Sequence, residues 1–167
     1  MNYTSAEANK LLRDLQEQRS ALLTKENQGS TFVAATIENT EDVRPDYDYV
    51  RVSEQLAAVD AKIRTVKHCI NQFNLSHCPE GFDMTVDQLL VYIPQLTERK
   101  SRLNRMANVL PKTRLPGGGS SSIIEYEYVN YDLDRVKADY RQVSDTLSRA
   151  QLALDKLNTT ETMEIEV

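Results

Sequence analysis

Residues 49–73 read YVRVSEQLAAVDAKIRTVKHCINQF, and this stretch decides the fold of the 167-residue chain. Its apolar side chains recur in alternating steps of three and four residues, which is the spacing of one stripe along an α-helix. The stripe contains Tyr49, Val52, Leu56, Val59, Ile63, Val66, Ile70 and Phe73. The pattern predicts a long amphipathic helix over residues 46–74, about 29 residues and about 43 Å long.

Three more segments carry a helical period. One stripe contains Val86, Leu89, Ile93, Leu96, Lys100, Leu103, Ala107 and Leu110, and another contains Leu133, Val136, Tyr140, Val143, Leu147, Ala150, Leu154 and Leu157. Residues 5–26 repeat the pattern less cleanly, because Gln18 and Arg19 interrupt the stripe. The sequence therefore predicts four long amphipathic helices.

Two short segments have the period of a β-strand. Residues 31–37 (TFVAATI) are rich in β-branched side chains, and in residues 123–129 (IIEYEYV) the side chains of Ile124, Tyr126 and Tyr128 alternate with glutamates. A lone strand cannot satisfy its own backbone groups, so we expect the two segments to pair as an antiparallel ribbon. The predicted fold is mainly α, an elongated antiparallel bundle or set of coiled-coil-like hairpins of four helices with this small two-stranded β ribbon inserted.

The order helix–strand–helix then occurs twice, which predicts one domain over residues 1–167 with a pseudo-repeat of 5–75 and 85–157. The run GGGSSS at residues 117–122 predicts a flexible linker over residues 115–122. Residues 159–167 are expected to be a disordered tail. At the helix ends, Ser5 stands ahead of the first helix and Thr85 is an N-cap candidate, and Pro94 predicts a kink in the third helix.

Composition excludes several classes of protein. The net charge of −5 disfavours a general binder of nucleic acid or of anionic membranes, since both surfaces would repel the average field of the molecule. Two cysteines cannot form a disulfide scaffold for a chain of this length, and no basic and apolar leader is recognisable at the N-terminus. We expect a cytoplasmic protein that binds neither nucleic acid nor membrane.

Two His-Cys pairs are the most suggestive chemical pattern. His68-Cys69 and His77-Cys78 supply four ligands of the types that bind zinc, but adjacent ligands on a helix point about 100° apart and the spacing matches no usual zinc motif. The interpretation we favour is that no metal is bound. A small metal site remains as an alternative.

Other chemistry finds less support. The sequence has no recognisable nucleophile elbow, and a Ser-His or Cys-His dyad would need His77 to act with its neighbours Ser76 or Cys78, which adjacent residues in a turn rarely allow. The glycine-rich run lacks the Gly-Lys-Ser/Thr of a phosphate loop. The sequence therefore predicts no catalytic residue and no cofactor, and the protein is not expected to be an enzyme.

Tyrosines and large apolar side chains concentrate around the two predicted β segments. Tyrosine is enriched at protein interfaces because its ring buries area while its hydroxyl stays hydrated, although packing against the helices would explain the same residues. The candidate interface residues are Phe32, Ile124, Tyr126 and Tyr128.

Four segments mark helix ends and apolar stripes: residues 11–19 (LLRDLQEQR), 70–74 (INQFN), 84–90 (MTVDQLL) and 131–135 (YDLDR). In these segments the chain resembles the septicolysin-like family of small uncharacterised bacterial helical proteins. The resemblance spans nearly the whole chain and implies the same order of helices and short β segments, with no catalytic residue to carry over. Pro94 and the Gly/Ser run depart from the family pattern.

These observations favour a non-enzymatic structural or interaction protein that self-assembles through its helices and β segments as a homo-oligomer, with a further protein partner possible. Two alternatives remain. One is a membrane-active protein, as the name of the resembling family implies, and the other is a metal-binding protein that uses the His-Cys pairs.

Overall fold

A computed structural model describes residues 1–115 and 124–167 of the chain. The helices are α1 (Ser5–Gly29), α2 (Thr40–Val43), α3 (Tyr49–Ser76), α4 (Val86–Ala107) and α5 (Leu133–Thr160). The strands are β1 (Asn2–Thr4), β2 (Lys112–Arg114), β3 (Tyr126–Tyr128) and β4 (Thr162–Glu164). The prediction of a mainly α fold with small β ribbons is confirmed, and the four long helices lie where the apolar stripes placed them.

The chain divides into two compact units. Unit 1 contains Met1–Ser76 together with Asn158–Val167, and unit 2 contains His77–Leu157. Each unit is built on a pair of long helices and a two-stranded antiparallel sheet.

In unit 1, α1 and α3 pack against each other as an antiparallel hairpin. The ion pair between Arg19 Nε and Asp60 Oδ1, 2.7 Å long, fixes the register of the two helices near their centres. The buried apolar side chains of this unit are Ala8, Leu15, Val52, Val66, Ile70, Phe73, Met163 and Ile165. On α1, they and the buried Ser5 all lie in the first half of the helix.

The sheet of unit 1 pairs β1 with β4, and Tyr3 lies opposite Met163. The amide of Ile165 donates to the carbonyl of Met1 at 2.9 Å, and the Ile165 side chain is only 1% exposed. The prediction of a disordered tail over residues 159–167 is therefore wrong. Alternating burial places Met163 and Ile165 in the core, and two apolar side chains in a short polar segment were too weak a signal to predict a strand.

In unit 2, the core is a ladder of side chains between α4 and α5. Leu89, Leu96 and Leu103 recur every seven residues on α4, and Val136, Val143 and Ala150 recur every seven residues on α5. This is the heptad spacing of an antiparallel coiled coil, so burial continues along the whole length of the helix pair.

The predicted pairing of the two β segments is wrong. Residues 31–37 form no strand, and the side chains of Val33 and Ile37 are about 95% and 96% exposed. β3 forms where residues 123–129 predicted a strand, but it pairs with β2 instead. A β-rich composition yields a strand only where a partner supplies the backbone hydrogen bonds, and residues 31–37 have no such partner in the described structure. Of the predicted linker over 115–122, residues 116–122 lie outside the described residues.

Helix ends follow the predicted capping chemistry with one shift. Thr85 caps α4 and forms a reciprocal capping box with Gln88, as expected. On α1 the cap is Thr4 with Glu7, and Ser5 is the first helical residue rather than the residue ahead of it. α4 continues through Pro94.

The connection between α1 and α3 packs closely against Gly29, the last residue of α1. A β-carbon placed on Gly29 would lie 2.7 Å from Cβ of Tyr47, closer than such atoms approach in proteins. The Tyr47 hydroxyl lies 3.3 Å from Oε1 of Glu26 and donates to it. Any larger residue at position 29 would displace Tyr47 from the end of α1.

Candidate functional site

The first candidate surface is the aromatic hairpin, defined here as β2, β3 and the flanking residues Leu115 and Ile124. Cross-strand pairing places Lys112 opposite Tyr128 and Arg114 opposite Tyr126, so these four side chains share one face. The Leu115 amide donates to the carbonyl of Glu125 at 3.0 Å, which continues the ladder past the strands.

The two tyrosine rings of the aromatic hairpin form one platform. Their centroids lie 6.4 Å apart with the planes inclined by 51°, an arrangement typical of aromatic pairs. The Lys112 ammonium lies 4.0 Å from the centroid of Tyr126 and 5.3 Å from that of Tyr128. A cation above two aromatic faces holds the platform in place at a solvent-exposed site.

The aromatic hairpin is exposed on both faces. Tyr128 is 63% exposed and Ile124 is 58% exposed, and every residue of β2 and β3 is exposed. Beside the hairpin, Val109, Leu110 and Tyr131 line a depression of about 370 Å³. The structure therefore gathers three of the four predicted interface residues on one small ribbon.

Phe32, the fourth predicted interface residue, belongs to unit 1. It lies in the connection between α1 and α2, where the Arg44 guanidinium sits 5.9 Å from its ring centroid. This connection also carries the exposed side chains of Val33 and Ile37.

A second surface, which sequence reasoning missed, is the α1–α3 groove. It has a volume of about 520 Å³ and is lined by Gln18, Ala21, Leu22, Lys25, Gln55, Ala58, Val59 and Lys62. The two helices contribute the same pattern, Glu-Gln-x-x-Ala-Leu/Val-x-x-Lys, at residues 17–25 and 54–62. This shared pattern is the signal in the sequence that could have predicted the α1–α3 groove.

Antiparallel packing gives the α1–α3 groove a local twofold symmetry. Lys62 lies level with Gln18, and Lys25 lies level with Gln55, so each end of the groove carries one lysine and one glutamine. The floor between them is made of alanine, leucine and valine side chains. Neither lysine has an ion-pair partner within residues 1–115 and 124–167.

The shifted pKa values of the chain have local structural causes. A backbone hydrogen bond from Thr4 lowers the pKa of Glu7, and a side-chain hydrogen bond from Lys156 lowers the pKa of Glu80. Desolvation beside α1, with the charge of Glu26, raises the pKa of Tyr47. These shifts belong to one helix cap, one ion pair and one packed connection, not to a common cleft.

The His-Cys pairs do not form a recognisable metal centre. Cys69 is half-buried on α3 and Cys78 is exposed after it. Across the described ranges, no three His, Cys, Asp or Glu side chains are close enough to hold a metal ion. Over the same ranges, the helices lack the long apolar stretch that crossing a bilayer requires.

A solved structure shares this fold. It is described as the crystal structure of a functionally unknown conserved protein from Corynebacterium diphtheriae, and it matches with a TM-score of 0.60 and 14% sequence identity. The match covers 98% of this chain and 100% of that one. No family model matches the chain, and neither does any curated protein.

Proposed function

We propose that this protein is a non-enzymatic helical protein whose function is to self-assemble, with the aromatic hairpin and its helices as the contact surfaces. The observation that carries the proposal is the exposure of the hairpin. Tyr126, Tyr128 and Ile124 lie on a ribbon whose strands have three residues each and whose faces are both uncovered.

An isolated two-stranded ribbon is marginal in water, because it has no core of its own. Its tyrosines are rigid side chains that bury a large area for little lost entropy and can keep their hydroxyls hydrated. Covering this ribbon with another copy of the chain would bury the tyrosine platform and Ile124 together. The same copy would cover the depression beside Leu110 and Tyr131.

Light scattering coupled to size-exclusion chromatography tests the proposal. We expect the wild-type chain to have a mass above the 19.0 kDa of one copy, in a concentration-dependent manner. A triple variant, Ile124→Ser, Tyr126→Ser and Tyr128→Ser, is expected to raise the dissociation constant at least about tenfold, because interface aromatics are frequent hot spots.

Leu152→Ser is the matched control, since Leu152 is 69% exposed on α5 and lies outside the hairpin. A monomer mass for the wild-type chain across a wide concentration range would contradict self-assembly. If the triple variant and the control associate equally strongly, the aromatic hairpin is not part of the contact.

A further inference from the structure

A second depression lies on the same side of α1 as the α1–α3 groove, nearer the start of the helix. This acidic depression, about 300 Å³ in volume, is lined by Asn2, Tyr3, Glu7, Lys10, Leu11 and Asp14. Its two carboxylates are seven residues apart with Leu11 between them, which places all three on one side of the helix.

The two depressions join into one stripe along α1. Its residues, in steps of four and three, are Glu7, Leu11, Asp14, Gln18, Ala21 and Lys25. The stripe is adjacent to the buried stripe of Ala8 and Leu15, so it lies at the solvent-facing edge of the α1–α3 hairpin. Its first half carries the carboxylates of Glu7 and Asp14, with Lys10 beside them in the depression, and its second half ends on Lys25.

The stripe is complementary to itself when reversed. If a second α1 lies antiparallel with the twofold axis beside Gln16, then Glu7 faces Lys25 and Leu11 faces Ala21 of the other copy. Asp14 then faces Gln18 of the other copy. Lys62 of that other copy lies level with its Gln18, within reach of the Asp14 carboxylate. Each contact occurs twice, as an isologous dimer requires.

We propose that the stripe and the α1–α3 groove form the twofold contact of a homodimer, in which Leu11 of each copy sits on the alanine–leucine floor of the other copy's groove. This inference rests on the proposed self-assembly and names its helical surface. Charge complementarity argues for a second copy as the occupant, because the chain itself supplies two acids and two lysines at matching spacing.

The bonds already made by these residues leave the contact open. Glu7 accepts with Oε2 from the backbone amide and the hydroxyl of Thr4, and in the proposed dimer Oε1 is the atom that would accept from the partner's lysine. The stripe from Glu7 to Lys25 is about 27 Å long, so the two acid–lysine contacts at its ends are well separated.

The test is a charge swap that only a twofold contact can rescue. Asp14→Lys sets a lysine against Lys62 at both contacts of the homodimer, and Lys62→Glu sets a glutamate against Asp14 at both. Each variant alone is expected to raise the dissociation constant about tenfold or more at low ionic strength.

An equimolar mixture of the two variants is the rescue experiment. At one contact of the mixed dimer, the lysine introduced at position 14 meets the glutamate introduced at position 62. At the other contact, the native Asp14 meets the native Lys62. Opposite charges then face each other at both contacts, so association is expected to return to the wild-type level.

Lys67→Glu is the matched control, because it makes the same charge change on α3 at an exposed position outside the groove. Circular dichroism verifies that each variant folds. Ala21→Trp is a second variant, which fills the floor without changing charge and is expected to weaken association in the same way.

The outcomes separate the two proposals. A wild-type chain that stays monomeric overturns both. If the wild type associates and the charge variants associate as strongly, or if their mixture fails to restore association, the twofold contact is overturned while self-assembly stands.

Discussion

The two helical hairpins of this protein share the same heptad period in sequence, but their inner faces are buried to different extents. In unit 2, buried side chains recur every seven residues along α4 and α5, from Leu89 to Leu103 and from Val136 to Ala150. In unit 1, no α1 residue after Leu15 is buried, and the second half of the helix faces a groove. A heptad period therefore predicts a helix and its inner face, whereas the size of the side chains decides how fully that face is buried.

The difference follows from particular residues. Leucine, valine and partly buried tyrosine fill the space between α4 and α5. Between α1 and α3, the stripe is interrupted by Arg19, which forms an ion pair with Asp60, and the neighbouring floor consists of small side chains such as Ala21 and Ala58. A half-exposed ion pair adds little stability, so the Arg19–Asp60 pair does not make up for the lower apolar burial in this half of unit 1.

The largest expected effect is the loss of stability when a core side chain is truncated. Leu89→Ala is expected to lower the free energy of unfolding by about 3 kcal/mol, because the side chain is 0% exposed and its loss leaves a cavity. Leu22→Ala, the same change in the half-buried groove, is expected to cost about 1 kcal/mol or less. Urea denaturation measures both, and equal costs would remove the contrast between the two hairpins.

The second prediction concerns the sheet that covers unit 1. Ile165→Ala is expected to cost about 2 kcal/mol, because the side chain is 1% exposed beside β1. Val167→Ala, at a 48% exposed position, is the control and is expected to change stability by less than about 0.5 kcal/mol. A cost at Ile165 no greater than that at Val167 would mean that the residue following β4 adds nothing to the core.

The third prediction compares the two capping boxes. Thr4→Ala and Thr85→Ala each remove the hydroxyl that accepts from the third helical amide, and each is expected to cost about 1 kcal/mol. Thermal or urea unfolding checks the pair. Thr4→Ser and Thr85→Ser retain the hydroxyl and should keep most of the free energy of unfolding that the alanine variants lose. Serine variants as unstable as the alanine variants would mean that the methyl group, not the capping hydroxyl, matters.

The smallest effect concerns two exposed carboxylates whose pKa values are lowered for different reasons. Glu80 of unit 2 accepts from the Lys156 ammonium at 2.6 Å, whereas Glu7 of unit 1 accepts mainly from the backbone of Thr4. A lowered carboxyl pKa stabilises the folded state above the ordinary glutamate range. That contribution is lost as the pH falls through the folded pKa.

Lys156→Met is expected to return the pKa of Glu80 toward its ordinary value and to leave that of Glu7 unchanged. Salt should shrink the shift at Glu80 more than the shift at Glu7, since an ion pair is screened and a backbone hydrogen bond is not. Side-chain carboxyl chemical shifts followed by NMR against pH measure both groups. An unchanged pKa at Glu80 in the variant would contradict the assignment of the cause.

The sequence predicted the helices because long periodic stripes reflect burial on one face, and Val52, Val66 and Phe73 of the decisive stretch are indeed buried. It predicted β3 but not the other three strands of the described residues. β1, β2 and β4 have three residues each, which is too short for an alternating pattern to emerge, and they exist because tertiary contacts bring their partners together.

Of the two candidate surfaces, one was predicted from the sequence and the other was not. Tyrosine content placed Tyr126 and Tyr128 on a candidate interface, and the structure adds their pairing and the position of Lys112 above them. The α1–α3 groove was not predicted, because it depends on the register of two helices that are far apart in sequence. In the structure, the Arg19–Asp60 contact marks that register.

The close approach of Gly29 to Tyr47 has a consequence for how the sequence can change over evolutionary time. The atom nearest to a side chain at position 29 would be the Cβ of Tyr47, which every residue except glycine carries, so replacing the tyrosine by another side chain leaves the closest clash in place. Among relatives that keep this connection, position 29 should therefore remain glycine, whereas position 47 can change at the cost of the hydrogen bond to Glu26.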